Sequence, residues 1–218
     1  MVRAVVFDFD GLIVDTETPI YTAWSEVYRD HGVELSVARW ASVIGHGPGY
    51  FDPICELEDL LGRTLDRDSL QARRRSRELE LVGTTTVQPG VLEWHREARE
   101  AGLRLGVASS SSLAWVSGHL ERIGLDGWSC IRCGDQVRRR KPAPDVYLAV
   151  VDCLGVAPEE ALAVEDSGPG TQAARAAGLR CVAVPSVMTA SHDFSAADLS
   201  IPSLADVSLG EVLRRVDR

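Results

Sequence analysis

Two aspartates one residue apart close an apolar run near the start of the chain, VVFDFDGLIVDTE from Val5 to Glu17. In extended backbone, residues i and i+2 face the same side, so Asp8 and Asp10 are expected to present their carboxylates together. Like charges that close repel, and an ionised pair needs a cation or a shared proton. Gly11 follows at once, where the backbone can turn sharply or approach a ligand. Two further apolar runs end in the same way. LRLGVA leads into Ser109, Ser110, Ser111 and Ser112, and ALAVE leads into Asp166, Ser167 and Gly168. Together the three runs deliver a hydroxyl cluster and the acidic groups Asp8, Asp10, Glu165 and Asp166. Acidic oxygens with few histidines suit a hard cation, and Mg²⁺ is the expected one. Of the 23 lysines and arginines, Lys141 alone is a lysine. It sits in RRRKPAPD, before a helix start expected near Pro144, from where a compact positive charge can reach the same cleft. Arginine's planar fork is no substitute for an ammonium in a tight space. A nucleophilic carboxylate, a metal, an ammonium with hydroxyls, and a second carboxylate for proton transfer make a site for a phosphoryl group.

The elements that must position these groups alternate along the chain. Strands are expected at Arg3–Phe9, Leu103–Ala108, Trp128–Cys133, Ala161–Glu165 and Cys181–Pro185, with a weaker one near Leu199–Ile201. Helices are expected at Val91–Ala101, Ser112–Ile123, Asp145–Leu154, Thr171–Ala177 and Leu209–Val216. Such alternation predicts an α/β core, a Rossmann-like parallel sheet flanked by helices, whose strand carboxyl ends hold the ligand. Gly102, Gly124, Gly155 and Gly178 each follow a helix, where a left-handed cap calls for glycine. Between Thr16 and Gly83 the alternation stops. That stretch reads as four helical pieces, Pro19–His31, Ser36–Ile44, Tyr50–Leu61 and Arg67–Val82. It is expected to form a small all-helical cap over residues 16–83, inserted after the first strand, with residues 1–15 and 84–218 forming the core. The loop from Gly45 to Gly49 holds too many glycines for a plain helix connection.

Four stretches, VVFDFDGLIVDTE, VASSSS, KPAPDVY and AVEDSGPG, resemble in their order the four motifs of the haloacid dehalogenase superfamily. The likeness is nearest to the subgroup with a helical cap after the first motif, which includes small-molecule phosphatases and β-phosphoglucomutase. It implies that Asp8 is the nucleophile forming an aspartyl-phosphate and that Asp10 exchanges protons with the leaving group and water. It also implies that Ser109 hydrogen-bonds the phosphoryl oxygens with help from the Ser110 backbone N–H, and that Lys141 bridges nucleophile and phosphate. Mg²⁺ would take Asp8, the Asp10 backbone carbonyl and Asp166, with Glu165 further out or acting through water. The cap would close over the substrate, and Gly11 and His46 would lie beside it.

The same resemblance separates the chemistries of the superfamily. Dehalogenases need no Asp10, and phosphonatases use a cap lysine that residues 16–83 do not contain. β-Phosphoglucomutases carry a cap histidine where this chain has Ile20, and a cap-loop arginine that GHGPGYF lacks. The expectation is a Mg²⁺-dependent phosphatase acting on a small phosphomonoester of the sugar or polyol class. A β-phosphoglucomutase-type isomerase is the alternative, and a sugar-phosphate binding protein without turnover is the third reading.

Composition fits a soluble globular protein, with 45% hydrophobic and 25% charged residues. The net charge of −9 disfavours nucleic acid or an anionic membrane as partner and leaves a small phosphorylated metabolite. No apolar run reaches the roughly 18–20 residues of a membrane span. Asp8 and Asp10 also interrupt the N-terminal apolar stretch, so a cytoplasmic location is expected. Cys130 and Cys133 form a CxxC on a strand, where positions i and i+3 face opposite sides, so both are expected as buried or half-buried thiols. The arginines Arg73, Arg74, Arg75 and Arg77 read as a solvated helix face, and Trp24 and Trp40 as cap core.

Overall fold

In a computed structural model describing residues 1–46 and 49–217, the alternating segments condense into one parallel sheet. Its strands are β1 (Ala4–Phe7), β2 (Arg104–Ser109), β3 (Cys130–Cys133), β4 (Ala161–Glu165), β5 (Arg180–Ala183) and β6 (Leu199–Ser200). They stand in the order β3-β2-β1-β4-β5-β6, all parallel. Chain order reverses between β1 and β4, and a crevice opens outside the carboxyl ends at such a point. Every residue of β1 and β4 is buried, as covering a sheet on both faces requires. Val5 and Phe7 face the side carrying α5 (Val91–Glu100), α6 (Leu113–Arg122) and α9 (Leu209–Val216). Ala4 and Val6 face α7 (Asp145–Leu154) and α8 (Gly168–Ala176).

The weakly patterned last strand forms, and α7 and α9 have the bounds expected. By contrast, α8 begins at Gly168 instead of Thr171. Ser167 caps it by accepting from the Gly170 N–H, and Pro169 is tolerated in a first turn, so residues that resemble breakers start the helix.

A helical insert follows β1: α1 (Glu17–Asp30), α2 (Val37–Ala41), α3 (Pro53–Leu61) and α4 (Arg67–Gly83). These helices share their own apolar cluster, which includes Trp24, Tyr28, Trp40, Ile54 and Leu57. The start of α3 falls at Pro53 because Asp52 accepts from the Ile54 and Cys55 N–H groups. Gly47 and Pro48 of the glycine-rich loop lie outside the described residues. The arginine-rich face of α4 is not simply solvated as expected. Arg74 is half-buried over Trp24 and pairs with the buried Glu78, while Arg73 and Arg77 reach Asp30 and Glu26 on α1.

The insert is tied to the core by the loop after β5. Met188 joins the insert's apolar cluster, and His192 accepts the Gly168 N–H at Nδ1. That bond leaves Nε2 as the protonated nitrogen, which donates to the Ala41 carbonyl at 2.7 Å. Among the described residues, no helix is long and apolar enough to cross a membrane.

One expectation about the cysteines is overturned. Cys130 is not a thiol: it forms a disulfide with Cys153 of α7, with Cα atoms 6.2 Å apart. The alternation argument holds for its neighbour, since Cys133 turns to the opposite face of the sheet and stays free and buried. What the spacing did not carry is that α7 brings a third cysteine under the Cys130 side. The bond closes a loop of sequence separation 23, so its loss is expected to cost about 3 kcal/mol. Cys153 is exposed, so Cys153→Ser should lose about that much in denaturant unfolding with little packing cost. A reductant should destabilise the wild type equally and leave the variant unchanged.

Candidate active site

The site is built where β1, β2 and β4 end side by side. Asp8 follows β1, Glu165 closes β4, Asp166 comes next, and Lys141 enters from the segment preceding α7. All four side chains are buried. The Lys141 ammonium donates to Asp8 Oδ1 at 2.5 Å, to Glu165 Oε1 at 2.6 Å and to the Ala108 carbonyl at 2.8 Å. A lysine has three N–H donors, and here each has an acceptor. Burial pulls its pKa down, but the Asp8 and Glu165 carboxylates outweigh burial and hold it above the usual lysine range. Three convergent acceptors suit a compact ammonium and not a planar guanidinium, which accounts for a lysine in a chain otherwise furnished with arginine.

Asp8, Glu165 and Asp166 each offer an oxygen within 4.8 Å of the others. Burial first, and then the neighbouring carboxylates, push Asp8 and Asp166 above the usual carboxylate range, with Lys141 opposing. One ammonium among three carboxylates leaves an excess of buried negative charge. Among the described residues, the Asp166 Oδ2 atom is also buried without a hydrogen-bond partner. Excess charge and an orphaned carboxylate oxygen both fit a divalent cation, held by Asp8 and Asp166. Glu165 suits a different role. Its Oε1 accepts from Lys141 and from the Tyr147 hydroxyl, and its Oε2 from the Ser167 N–H and hydroxyl. With both oxygens engaged, Glu165 orients the lysine. Two glycines allow this crowding. A Cβ on Gly11, whose φ is +88°, would lie 2.2 Å from Asp166 Oδ2, and one on Gly170 would lie 2.0 Å from Glu165 Oε2.

Asp10 stands outside this group of three, although it lines one small cavity with Asp8. Strand β1 ends at Phe7, so strict alternation stops before the two aspartates are placed. Asp10 Oδ1 accepts from the Thr16 hydroxyl and from the Trp115 indole N–H, both at 2.8 Å. Its Oδ2 accepts from the Ser109 hydroxyl at 3.0 Å and the Ser111 hydroxyl at 2.7 Å.

A cavity of about 70 Å³ lies at this centre, lined by Asp8, Asp10, Lys141 and Asp166 with Ser110 and Ser111. The Ser110 hydroxyl is buried without a partner among the described residues, as a donor waiting for an anion would be. Two larger spaces adjoin it, both also lined by Glu17 and Ser111. One of about 630 Å³ separates α4 from α6, and one of about 380 Å³ lies among the insert's aromatic side chains.

A buried carboxylate facing a lysine, with an acidic cation site beside it at the switch point of a parallel sheet, meets its counterpart in the comparison with known families. The model for haloacid dehalogenase-like hydrolases matches residues 5–184. The chain belongs to that family. This haloacid dehalogenase-like hydrolase is 41% identical to the Bacillus subtilis protein YhcW over 214 residues, covering 98% of this chain and 97% of that one. It is 33% identical to the Escherichia coli fructose-1-phosphate phosphatase YqaB over 184 residues, covering 83% and 95% of the two chains. The crystal structure of CbbY from Rhodobacter sphaeroides in complex with phosphate superposes with a TM-score of 0.78 at 28% identity, covering all of both chains. The helical insert after β1 is the cap of the family, and the enzyme is a hydrolase with a phosphatase-type site.

Of the residues singled out in the sequence, Asp8, Asp10, Ser110, Lys141 and Asp166 meet at the small cavity, with Gly11 and Glu165 packed behind them. Ser109 is fully buried, with its hydroxyl on Asp10. His46 lies outside the cavity, stacked on Tyr50 with ring centroids 3.9 Å apart. Sequence reasoning passed over Glu17, Tyr147 and Trp115. Glu17 had one available signal, an acid opening a cap helix one residue after Thr16.

Glu17 is half-buried, and burial, then the charge of Asp10, push its pKa to about 8, while the Trp40 indole pulls it back down. Unfolded, the group ionises near 4.5. The folded chain therefore binds the extra proton between those values, and this group's contribution to stability is lost as pH rises towards about 8. Glu17→Gln removes that loss. Its melting temperature should gain on the wild type progressively from about pH 5 to pH 8, whereas a difference independent of pH would mean that Glu17 is already ionised in the fold.

Proposed function

We propose that this hydrolase removes the phosphoryl group from a small phosphomonoester, a sugar or polyol phosphate, through an aspartyl-phosphate on Asp8. The observation that carries the reading is the Lys141 ammonium held between Asp8 and Glu165, in one cavity with an Asp166 oxygen that has no partner among the described residues. In the first step an Asp8 oxygen attacks phosphorus, the Asp8–phosphorus bond forms and the bond to the leaving oxygen breaks. Asp10 supplies the proton that the leaving oxygen takes up. In the second step water attacks the aspartyl-phosphate, Asp10 takes the water proton, and inorganic phosphate leaves with Asp8 restored. Lys141 holds the nucleophile in place and offsets the negative charge gathered around the phosphoryl oxygens. The Ser110 hydroxyl stands ready as a further donor. Magnesium is the cation proposed for Asp8, the Asp10 backbone carbonyl and Asp166, where it would act as a Lewis acid on the phosphoryl oxygens.

The leaving group belongs in the space between α4 and α6, where Glu17, Arg75 and Arg140 offer partners for hydroxyl groups. A sugar or polyol fits such walls, and the relative YqaB, named for fructose 1-phosphate, supports that class. Ile20 lines both adjoining cavities, and an isoleucine has no proton to exchange with a sugar hydroxyl, which favours hydrolysis over isomerisation.

The test is phosphate release from a panel of phosphorylated sugars, polyols and short acids, with Mg²⁺ and with EDTA. Asp8→Asn should lower kcat by at least about 10³-fold while leaving the thermal unfolding transition in place. Release that survives EDTA or the Asp8 substitution would remove the metal or the nucleophile from the mechanism. Interconversion of sugar phosphates without net release would replace hydrolysis by isomerisation.

A further inference from the structure

Among the described residues, four side chains hydrogen-bond the Asp10 carboxylate, and they are not equivalent. Thr16, Ser109 and Ser111 use hydroxyl groups, which donate to a carboxylate and can turn to accept from a carboxylic acid. Trp115 uses an indole N–H, which donates and cannot accept. Whether Asp10 carries a proton or not, the oxygen facing the indole must therefore be an acceptor. That oxygen is Oδ1. The carbonyl oxygen of a carboxylic acid is its stronger acceptor, so the fixed indole donor favours the proton on Oδ2, between the Ser109 and Ser111 hydroxyls, and Ser111 lines the wall of the small cavity.

We propose that Trp115 is a positioning residue that decides which oxygen of Asp10 carries the transferable proton and turns that oxygen towards the reacting phosphoryl group. The inference rests on Asp10 as the proton carrier of the proposed mechanism.

The indole is itself held from several sides. The Ser112 hydroxyl, capping α6, accepts from the Trp115 backbone N–H at 3.3 Å. His119, one turn further along α6, meets the indole edge-on at 4.2 Å between centroids. The Arg75 guanidinium of cap helix α4 lies 5.1 Å from the ring centroid, within the range of a cation–π contact. A cap side chain thus rests on the same ring that grips the proton carrier. Trp115 and Arg75 also line the space assigned to the leaving group, so the indole stands beside the oxygen that must be protonated.

Trp115→Phe keeps a smaller aromatic ring for Arg75 and His119 and removes the N–H together with part of the indole. The measurement is kcat/KM, which reports steps up to phosphoryl transfer to Asp8, on two substrates with Mg²⁺. p-Nitrophenyl phosphate expels a stable phenolate that needs no proton, whereas an alkyl phosphate such as glycerol phosphate expels an alkoxide that does. The expected result is a loss of about 10-fold or more on the alkyl phosphate, with p-nitrophenyl phosphate changed less than about 3-fold. An equal loss on both substrates assigns Trp115 to packing alone and overturns the proposal, as does no loss on either.

A second reading needs no turnover. In the folded wild-type chain the Trp115 indole N–H resonance should shift and exchange faster with solvent on Asp10→Ala. An unmoved resonance overturns the proposal. A wild type that hydrolyses neither substrate refutes the phosphatase reading instead, and the resonance still decides whether the indole holds Asp10.

Discussion

Three buried carboxylates around one ammonium set the terms for the rest of this molecule. Removing an unpaired charge from water costs several kcal/mol, so such a cluster persists only where each charge has defined partners. Lys141 uses all its donors on Asp8, Glu165 and Ala108. Glu165 is pinned in turn by Tyr147 from α7 and Ser167 at the head of α8, so the helices that cover the sheet also orient the charge pair. The negative charge left over, concentrated at Asp8 and Asp166, makes this a place for a cation and a phosphoryl group instead of a closed structural ion pair. Gly11 and Gly170 follow from the same constraint, because a methyl group at either would occupy the space of a carboxylate oxygen.

The two aspartates of the first motif serve different surroundings although one residue separates them. Asp8 faces inward to Lys141 and the acidic cluster. Asp10 is drawn onto the serine loop after β2 and onto Trp115 of α6, facing the cap. The two carboxylates are therefore held by different sets of groups. One set comes from the sheet and the helices behind it. The other comes from Ser109 at the end of β2, Ser111, Trp115 of α6 and Thr16 at the threshold of the cap, and it has Arg75 resting on the indole.

Much of this was written in local pattern. Strand and helix positions follow from apolar periodicity and glycine punctuation, because burying a sheet on both faces imposes apolar runs wherever the chain crosses it. The acidic, serine and lysine groups were legible because each interrupts or follows such a run, and the parallel arrangement carries every strand end to one edge. The solitary lysine was conspicuous as soon as the arginines were counted. The sequence by itself therefore determined the α/β sheet, the helical insert after its first strand and the phosphoryl chemistry of the edge.

What only the tertiary structure decided are pairings between segments whose separation in sequence carries no information. Cys130 meets Cys153 because α7 crosses under β3, and Glu165 finds Tyr147 because α7 and β4 flank the same lysine. Asp10 meets an indole on α6, a contact between residues far apart in sequence. His192 joins the Gly168 N–H to the Ala41 carbonyl across core and cap, a bond no local pattern announces. Periodicity records which face of an element is buried. Which polar side chain will meet which depends on how those faces are turned once packed, and that is settled by the close fit of the whole interior.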